Sequence, residues 1–232
     1  MKKSQSFDKF RTRRIGIDAR FFGPRDKGFG RYTENLVRNL EKIYKYNSND
    51  TNEYANAANK RLEFFVFLRK ERWDDYKPAN SNFKKVLADF RWYGWKEQVF
   101  LPLKFKKYKL DLVHFTHFNA PIFYRGKFIV TIHDLTLRKF PTPKKSFRNL
   151  LFYPFKKIMY KLVFGRAVKK AEKIIAISNY TKQDILKYCK ISPEKIEVIY
   201  EGTPQQISNF KFQMPQRENT YYTLAMPILI KI

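Results

Sequence analysis

Short apolar runs alternate with amphipathic stretches along this chain, and each run is bounded by polar or turn-forming residues. The segment 14–20, Arg14-Ile15-Gly16-Ile17-Asp18-Ala19-Arg20, reads as a strand. A helix is expected from about Gly30 to Tyr46, with Leu36, Leu40 and Ile43 on one stripe. Leu62 to Leu68 is almost continuously apolar, as a strand covered on both faces should be, and Phe83 to Leu87 gives a third strand. Trp95 to Tyr108 reads as a helix interrupted by Pro102. Further strands are expected at Asp111–Phe115, Lys127–Thr131, Lys173–Ser178 and Lys195–Tyr200. Ser178 is placed to cap a helix running from Asn179 to about Cys189. This rhythm predicts an α/β fold, a Rossmann-like, mostly parallel sheet with helices on both faces.

Between these elements, Asn47 to Lys60 carries five asparagines and reads as a loop. Three regions follow: a basic N-terminal tail at 1–13, one Rossmann-like domain at 14–203, and a polar linker at 204–232 ending in a lone apolar strand, Tyr221 to Ile230. The chain has 232 residues, 44% of them hydrophobic, enough to bury a core. No apolar run approaches the roughly 18 residues needed to span a bilayer. The single cysteine, Cys189, rules out an internal disulfide and a cysteine-rich zinc site. Without a secretory signal at the N-terminus, a cytoplasmic location is the default.

The formal net charge of +27 attracts polyanions, whether nucleic acid, anionic lipid or phosphorylated substrate. The accompanying Lys, Asn, Phe, Tyr and Ile richness equally suits compositional drift on a solvated surface. Residues 138–173 concentrate the charge, with twelve Lys or Arg against one acid, Glu172. Aromatic and aliphatic residues interleave with Lys144, Lys145, Arg148, Lys156, Lys157 and Lys161. Such a stretch reads as an interfacial membrane helix, or as a core helix with solvated lysines. The apolar positions are too many for a single face. No groove-reading motif accompanies the charge, so nucleic acid is not an expected partner.

Two strand ends carry candidate chemistry. After the first strand, Gly28-Phe29-Gly30-Arg31-Tyr32 opens a helix. Uncovered backbone N–H groups there suit a phosphate, while the plain alternative is a tight turn needing glycine φ angles. After the fifth strand, His133-Asp134 can hold a sugar hydroxyl or phosphate oxygen, or move a proton. The alternative is a hydrogen-bonded strand-end histidine beside a capping Asp134. His114 and His117 raise a metal site with His133. However, His114 lies inside a strand and His117 beyond its end, so no metal is expected. Glu201 either bonds a ligand hydroxyl or caps a turn before the linker.

In this order the motifs resemble the N-terminal domain of glycosyltransferase family 4, retaining enzymes of the GT-B fold. The matching segments are Ile15-Gly16-Ile17-Asp18-Ala19-Arg20, Gly28 to Leu36, and Asp111-Leu112-Val113-His114-Phe115 with Asn119-Ala120-Pro121. They continue with Thr131-Ile132-His133-Asp134-Leu135 and Phe140-Pro141, Ile175 to Ile185, and Ile196 to Gly202. The resemblance implies catalytic roles at His133 and Asp134, and donor or acceptor contacts at Gly28, Gly30, Arg31, Tyr32, His117, Asn119, Ser178 and Glu201. It implies a nucleotide-sugar donor such as a GDP- or UDP-hexose as substrate, no cofactor or metal, and transfer of a mannose-like hexose to a glycan or lipid-linked acceptor. It also implies an anionic membrane surface as partner, with a peripheral place at the inner face of the plasma membrane and a role in cell-envelope polysaccharide synthesis. The family's second domain, with its basic pair and spaced glutamates, has no counterpart before Ile232. A truncated enzyme is therefore the expectation, inactive alone and completed by a second chain supplying the donor-binding domain. A non-enzymatic membrane-surface or polyanion-binding remnant is the competing reading.

Overall fold

The computed structural model describes residues 12–48, 62–92, 94–139 and 147–201. Seven strands form one all-parallel sheet: β1 (Arg13–Asp18), β2 (Leu62–Leu68), β3 (Phe83–Leu87), β4 (Leu112–Phe115), β5 (Phe128–Ile132), β6 (Lys173–Ala176) and β7 (Ile196–Val198). Their spatial order is β3-β2-β1-β4-β5-β6-β7. The order reverses between β1 and β4, where Ile15 pairs with Leu112 and Asp18 with Phe115. In an open parallel sheet that reversal splays the loops beyond the strand C-termini and leaves a crevice.

Among the described residues the α-helices are α1 (Lys27–Ser48), α2 (Trp95–Lys107), α3 (Thr136–Lys139), α4 (Phe147–Lys170) and α5 (Asn179–Tyr188). One face packs α1 through Val37, Leu40 and Tyr44 against Ile15, Ile17, Phe64, Val66 and Ile129. The inward stripe of α1 thus runs through Val37 and Tyr44 rather than Leu36, which is only partly buried against this cluster. The other face packs Leu101 and Phe105 of α2, Phe164, Ala167 and Val168 of α4 and Ile185 of α5 against Phe67, Val113, Phe115, Val130 and Ile174.

Pro102 sits inside α2 without ending it. Its ring removes one N–H, while Leu101 and Phe105 on either side anchor the helix to the sheet. Alpha4 has more apolar residues than its inner face holds. Val163, Phe164, Ala167 and Val168 point inward, and Ile158 and Leu162 stay exposed. Ser178 caps α5, its Oγ accepting the Thr181 N–H at 3.1 Å. Ser178→Ala is expected to cost about 1 kcal/mol in unfolding free energy, readable as a lower urea midpoint. The lone strand expected at Tyr221 to Ile230, the linker from residue 204, Lys144 and Lys145 lie outside the described residues.

Candidate functional site

The crevice is built from the residues that follow β1, β4 and β5. Polar side chains appear toward the C-terminal ends of these strands, Asp18 in β1, His114 in β4 and Thr131 in β5, and with the residues that follow they gather at one rim. His133, immediately beyond β5, is almost fully buried. Its Nε2 lies 2.9 Å from the Thr116 carbonyl oxygen, and its Nδ1 lies 3.0 Å from Oε1 of Glu201. A carbonyl oxygen only accepts, so Nε2 carries hydrogen. The His133–Glu201 bond then needs one further proton, held on the ring or on the carboxyl. The Thr181 hydroxyl donates to the His133 carbonyl at 3.0 Å. Two bonds thus fix the ring and a third fixes its backbone, and one ring partner is the half-exposed Glu201 beyond β7.

Hydroxyls of Tyr32 and Thr33 fasten the second turn of α1 onto the same rim. Tyr32 Oη lies 3.0 Å from Thr131 Oγ1, which also meets His114 Nε2 at 2.9 Å. Thr33 donates to the Phe29 carbonyl, and Thr116 donates to the Asp18 carbonyl. Burial pushes the Tyr32 hydroxyl well above its ordinary pKa, despite the Thr131 bond. The Tyr32 and His133 rings meet in a T-shape with centroids 4.7 Å apart, and Phe29 and His133 do the same at 5.0 Å.

Neither Gly28 nor Gly30 has a positive φ. That conformation falls on Gly23 (φ 86°), among the described glycines. Both lie within the first turn of α1, which begins at Lys27 rather than at Gly30. Gly30 is required for a different reason. A Cβ there would enter the Gly23 carbonyl oxygen and come within 2.8 Å of the Asp26 Cβ, whereas a Cβ on Gly28 would meet nothing within 4 Å. Gly30→Ala is expected to lose about 1–3 kcal/mol of stability through overpacking. Gly28→Ala should be neutral or gain up to about 1 kcal/mol from helix propensity. Thermal unfolding of the two variants side by side tests the contrast.

A buried ionic cluster supports the rim from below. The Arg20 guanidinium, fully buried, forms two 2.8 Å bonds to the Asp18 carboxylate and meets Glu97 Oε1 at 2.6 Å. Burial opposes the Arg20 charge, but the two carboxylates outweigh it and hold its pKa above the ordinary value. Asn119 donates to the same Glu97 oxygen at 2.8 Å. Asn119 therefore positions the segment after β4 and does not line the crevice.

The crevice itself is a cavity of about 570 Å³ lined by Phe21, Phe29, Trp92, Phe118 and Tyr160, with His117, His133, Asp134, Thr136 and Arg91. His117 is stacked near His133, with centroids 6.3 Å apart. Burial, then the neighbouring His133 and Arg20, depress its pKa to about 3. His117 is thus neutral at ordinary pH and hydrogen-bonds without charge. Asp134 is exposed, and its Oδ1 accepts the Thr136 N–H at 2.8 Å, capping α3.

Of the residues singled out from sequence, the structure gathers His133, Asp134, His117, Tyr32 and Glu201 at one rim. Gly30 packs behind it, and Gly28 and Arg31 are exposed at the start of α1. Ser178 is occupied as a cap, and Arg148 and Lys156 lie in α4 without described side chains. Lys157 and Lys161 are exposed on the same helix. Sequence reading missed the aromatic wall. Phe29, between two glycines, carried a usable signal; Trp92 and Tyr160 did not stand out among 18% aromatic residues.

No curated protein matches the chain. Among solved structures it is similar to a glycosyltransferase from Rickettsia africae ESF-5, at 15% identity and a TM-score of 0.40. The match covers 88% of this chain and 47% of that one, so the chain spans about half the length of that enzyme. The model of Glycosyltransferase Family 4 matches residues 52–206, more than half of the sequence, and the chain belongs to that family.

Proposed function

We propose that the domain is the acceptor side of a retaining hexosyltransferase that uses a GDP- or UDP-hexose and works opposite a donor-binding domain. The observation that carries this reading is the meeting of His133, Glu201 and Tyr32 near the start of α1, at the point where the strand order reverses. In the reaction the acceptor oxygen bonds to the anomeric carbon as the bond from that carbon to the diphosphate breaks. The nucleoside diphosphate leaves with the electron pair, and the acceptor proton passes to one of its phosphate oxygens. No covalent enzyme intermediate and no metal is needed. The domain's work is positioning and charge stabilisation beside the leaving group.

The test is transfer from a radiolabelled nucleotide hexose, with the donor-binding domain supplied in trans or as a continuation of the chain. His133→Ala should lower kcat/KM by about 100-fold or more, with the domain still folded by circular dichroism. Unchanged turnover in that variant would sink the proposal.

An anionic membrane is the proposed partner surface. The outer faces of α2 and α4 expose Trp95, Val99, Phe100 and Leu103, and Ile158 and Leu162. Lys96, Lys106, Lys107, Lys157 and Lys161 are exposed on the same two helices. Each lysine near an anionic surface adds about 1 kcal/mol, and the apolar side chains add insertion. No helix among the described residues is long and apolar enough to cross a membrane. A peripheral mode, at the inner face of the plasma membrane, is the one proposed.

A further inference from the structure

The opposite end of the sheet carries charge for which sugar transfer has no use. The turn 124–127 leads into β5, and Glu172 immediately precedes β6, so both lie at the N-terminal ends of the strands. Together with the last turns of α4 they enclose a second cavity of about 410 Å³. Arg125, Lys127, Arg166 and Lys170 line it, against one acid, Glu172. At about 3.3 Å per residue, the length of β5 sets it roughly 16 Å from His133. Open α/β sheets ordinarily hold their ligands at the other strand ends, so this cavity is no extension of the crevice.

Its polar groups are held in place by the core. The Tyr124 side chain, buried to 7% exposure, packs against Phe105, Phe115 and Phe128. Its hydroxyl has no hydrogen-bond partner among the described residues, and a buried polar group left unpaired costs stability. Burial holds that hydroxyl above its ordinary pKa, so it stays protonated and can donate. Gly126 leaves room for it, since a Cβ there would run into the Tyr124 oxygen. Arg166 is anchored by donating from Nη2 to the Tyr124 carbonyl at 3.1 Å, which leaves the rest of its planar fork for a ligand. Lys195 donates to the Lys169 carbonyl at 2.8 Å and lies near enough to Glu172 for the two charges to act on each other. Glu172 thus has a cation outside the lining, and one carbonyl at the negative end of α4 is covered. The four cations that line the cavity repel one another, and an anion set among them lifts that repulsion.

We propose that this cavity is a second ligand site, which takes a phosphate monoester borne on a small hydroxylated body, of the polyol phosphate class. The phosphate lies among Arg125, Arg166 and Lys170 and accepts the Tyr124 hydroxyl, while the Glu172 carboxylate accepts a hydroxyl of the body. A bare phosphate ion leaves much of the volume empty, whereas small-molecule sites begin at about 300 Å³. The site does not depend on the glycosyltransferase reading, because none of its residues belongs to the crevice.

The test is binding by the full chain at about 150 mM salt, where diffuse surface attraction is screened, followed by calorimetry and by chemical shifts. The probes are glycerol 3-phosphate and inorganic phosphate, with glycerol as the uncharged control. Tyr124→Phe removes only an unpaired hydroxyl and should keep the fold. Arg125→Gln removes an exposed charge from the lining, and Lys96→Gln removes one at the far end of α2. Glycerol 3-phosphate is expected to bind saturably, more tightly than phosphate, and to shift the Gly126 amide and not that of His133. Its affinity should fall about tenfold in Tyr124→Phe and in Arg125→Gln, and stay unchanged in Lys96→Gln. Displacement of the bound probe by phosphatidate vesicles would assign the same phosphate chemistry to a lipid headgroup, and binding indifferent to the vesicles would assign it to a free metabolite. Three results would overturn the inference: no saturable binding, affinity indifferent to Tyr124→Phe or equally sensitive to Lys96→Gln, or phosphate binding as tightly as its glycerol ester. The second would mark attraction to the overall charge, and the third a site for the bare ion.

Discussion

Arg20→Met is expected to lower the unfolding free energy by about 3–5 kcal/mol, a large share of the roughly 5–15 kcal/mol that holds a domain together. The substitution leaves the Asp18 and Glu97 carboxylates buried side by side with no cation between them. Burial disfavours charge and the two negative groups repel, so one must take up a proton or the loop must open to water. A urea midpoint unchanged from wild type would refute this account of the cluster. Replacing all three groups by apolar residues of similar size should cost far less than removing the arginine alone, because no charge is then left unpaired. The damage should also reach the cavity, since Phe21 follows Arg20 directly and its ring braces Trp92.

A second large effect is expected from pH. Burial, and then the charge of His133, lower the His114 pKa from 6.5 to about 3, and His117 is depressed to about 3 as well. In the unfolded chain both rings take up a proton below pH 6.5, while in the folded domain they stay neutral until about pH 3. The stability they contribute is complete above 6.5 and is lost as pH falls from 6.5 toward 3. Each fully depressed histidine contributes a slope of about 1.4 kcal/mol per pH unit in that window. His117 is partly exposed and should give the smaller share. Urea midpoints measured from pH 7 down to 4 should fall steeply, and His114→Gln should flatten the curve by about half or more. A flat wild-type profile down to pH 4.5 would contradict the assignment of both rings as neutral in the folded domain.

The inner strands were legible in the sequence because a parallel sheet buried on both faces leaves nearly continuous apolar runs, as in Leu62 to Leu68, while the edge strands β3 and β7 mix in charged residues. The Ser178 cap was legible because a hydroxyl before a helical pattern has few other uses. The start of α1 was read a few residues late, at about Gly30 rather than Lys27. The reason residue 30 must be glycine, that the Gly23 carbonyl packs where its Cβ would be, is a long-range fact with no local signal. Of the site, His133 stood out because a charged pair ended an apolar run. Its partners Thr116 and Glu201 and the ionic cluster at Arg20 come from strands far apart in the chain. Only Asp18 and Arg20, two residues apart at a strand end, hinted at the cluster. The aromatic wall was hidden by the abundance of aromatics elsewhere.

The placement of β1 at the middle of the sheet has a consequence for biosynthesis. One side of β1 finds β2 early, but its other side waits for β4. Arg14 at the base of β1 bonds to Asp111, 97 residues later. At ribosomal speeds of about 5–20 residues per second, that is roughly 5–20 s during which the backbone N–H and C=O groups on the β4 side of β1 have no strand to pair with. Closing so long a loop is also entropically slow once the partner arrives. The middle strand is made first and sealed late, so a nascent chain stalled before residue 112 presents an open, sticky edge to whatever binds unfinished proteins.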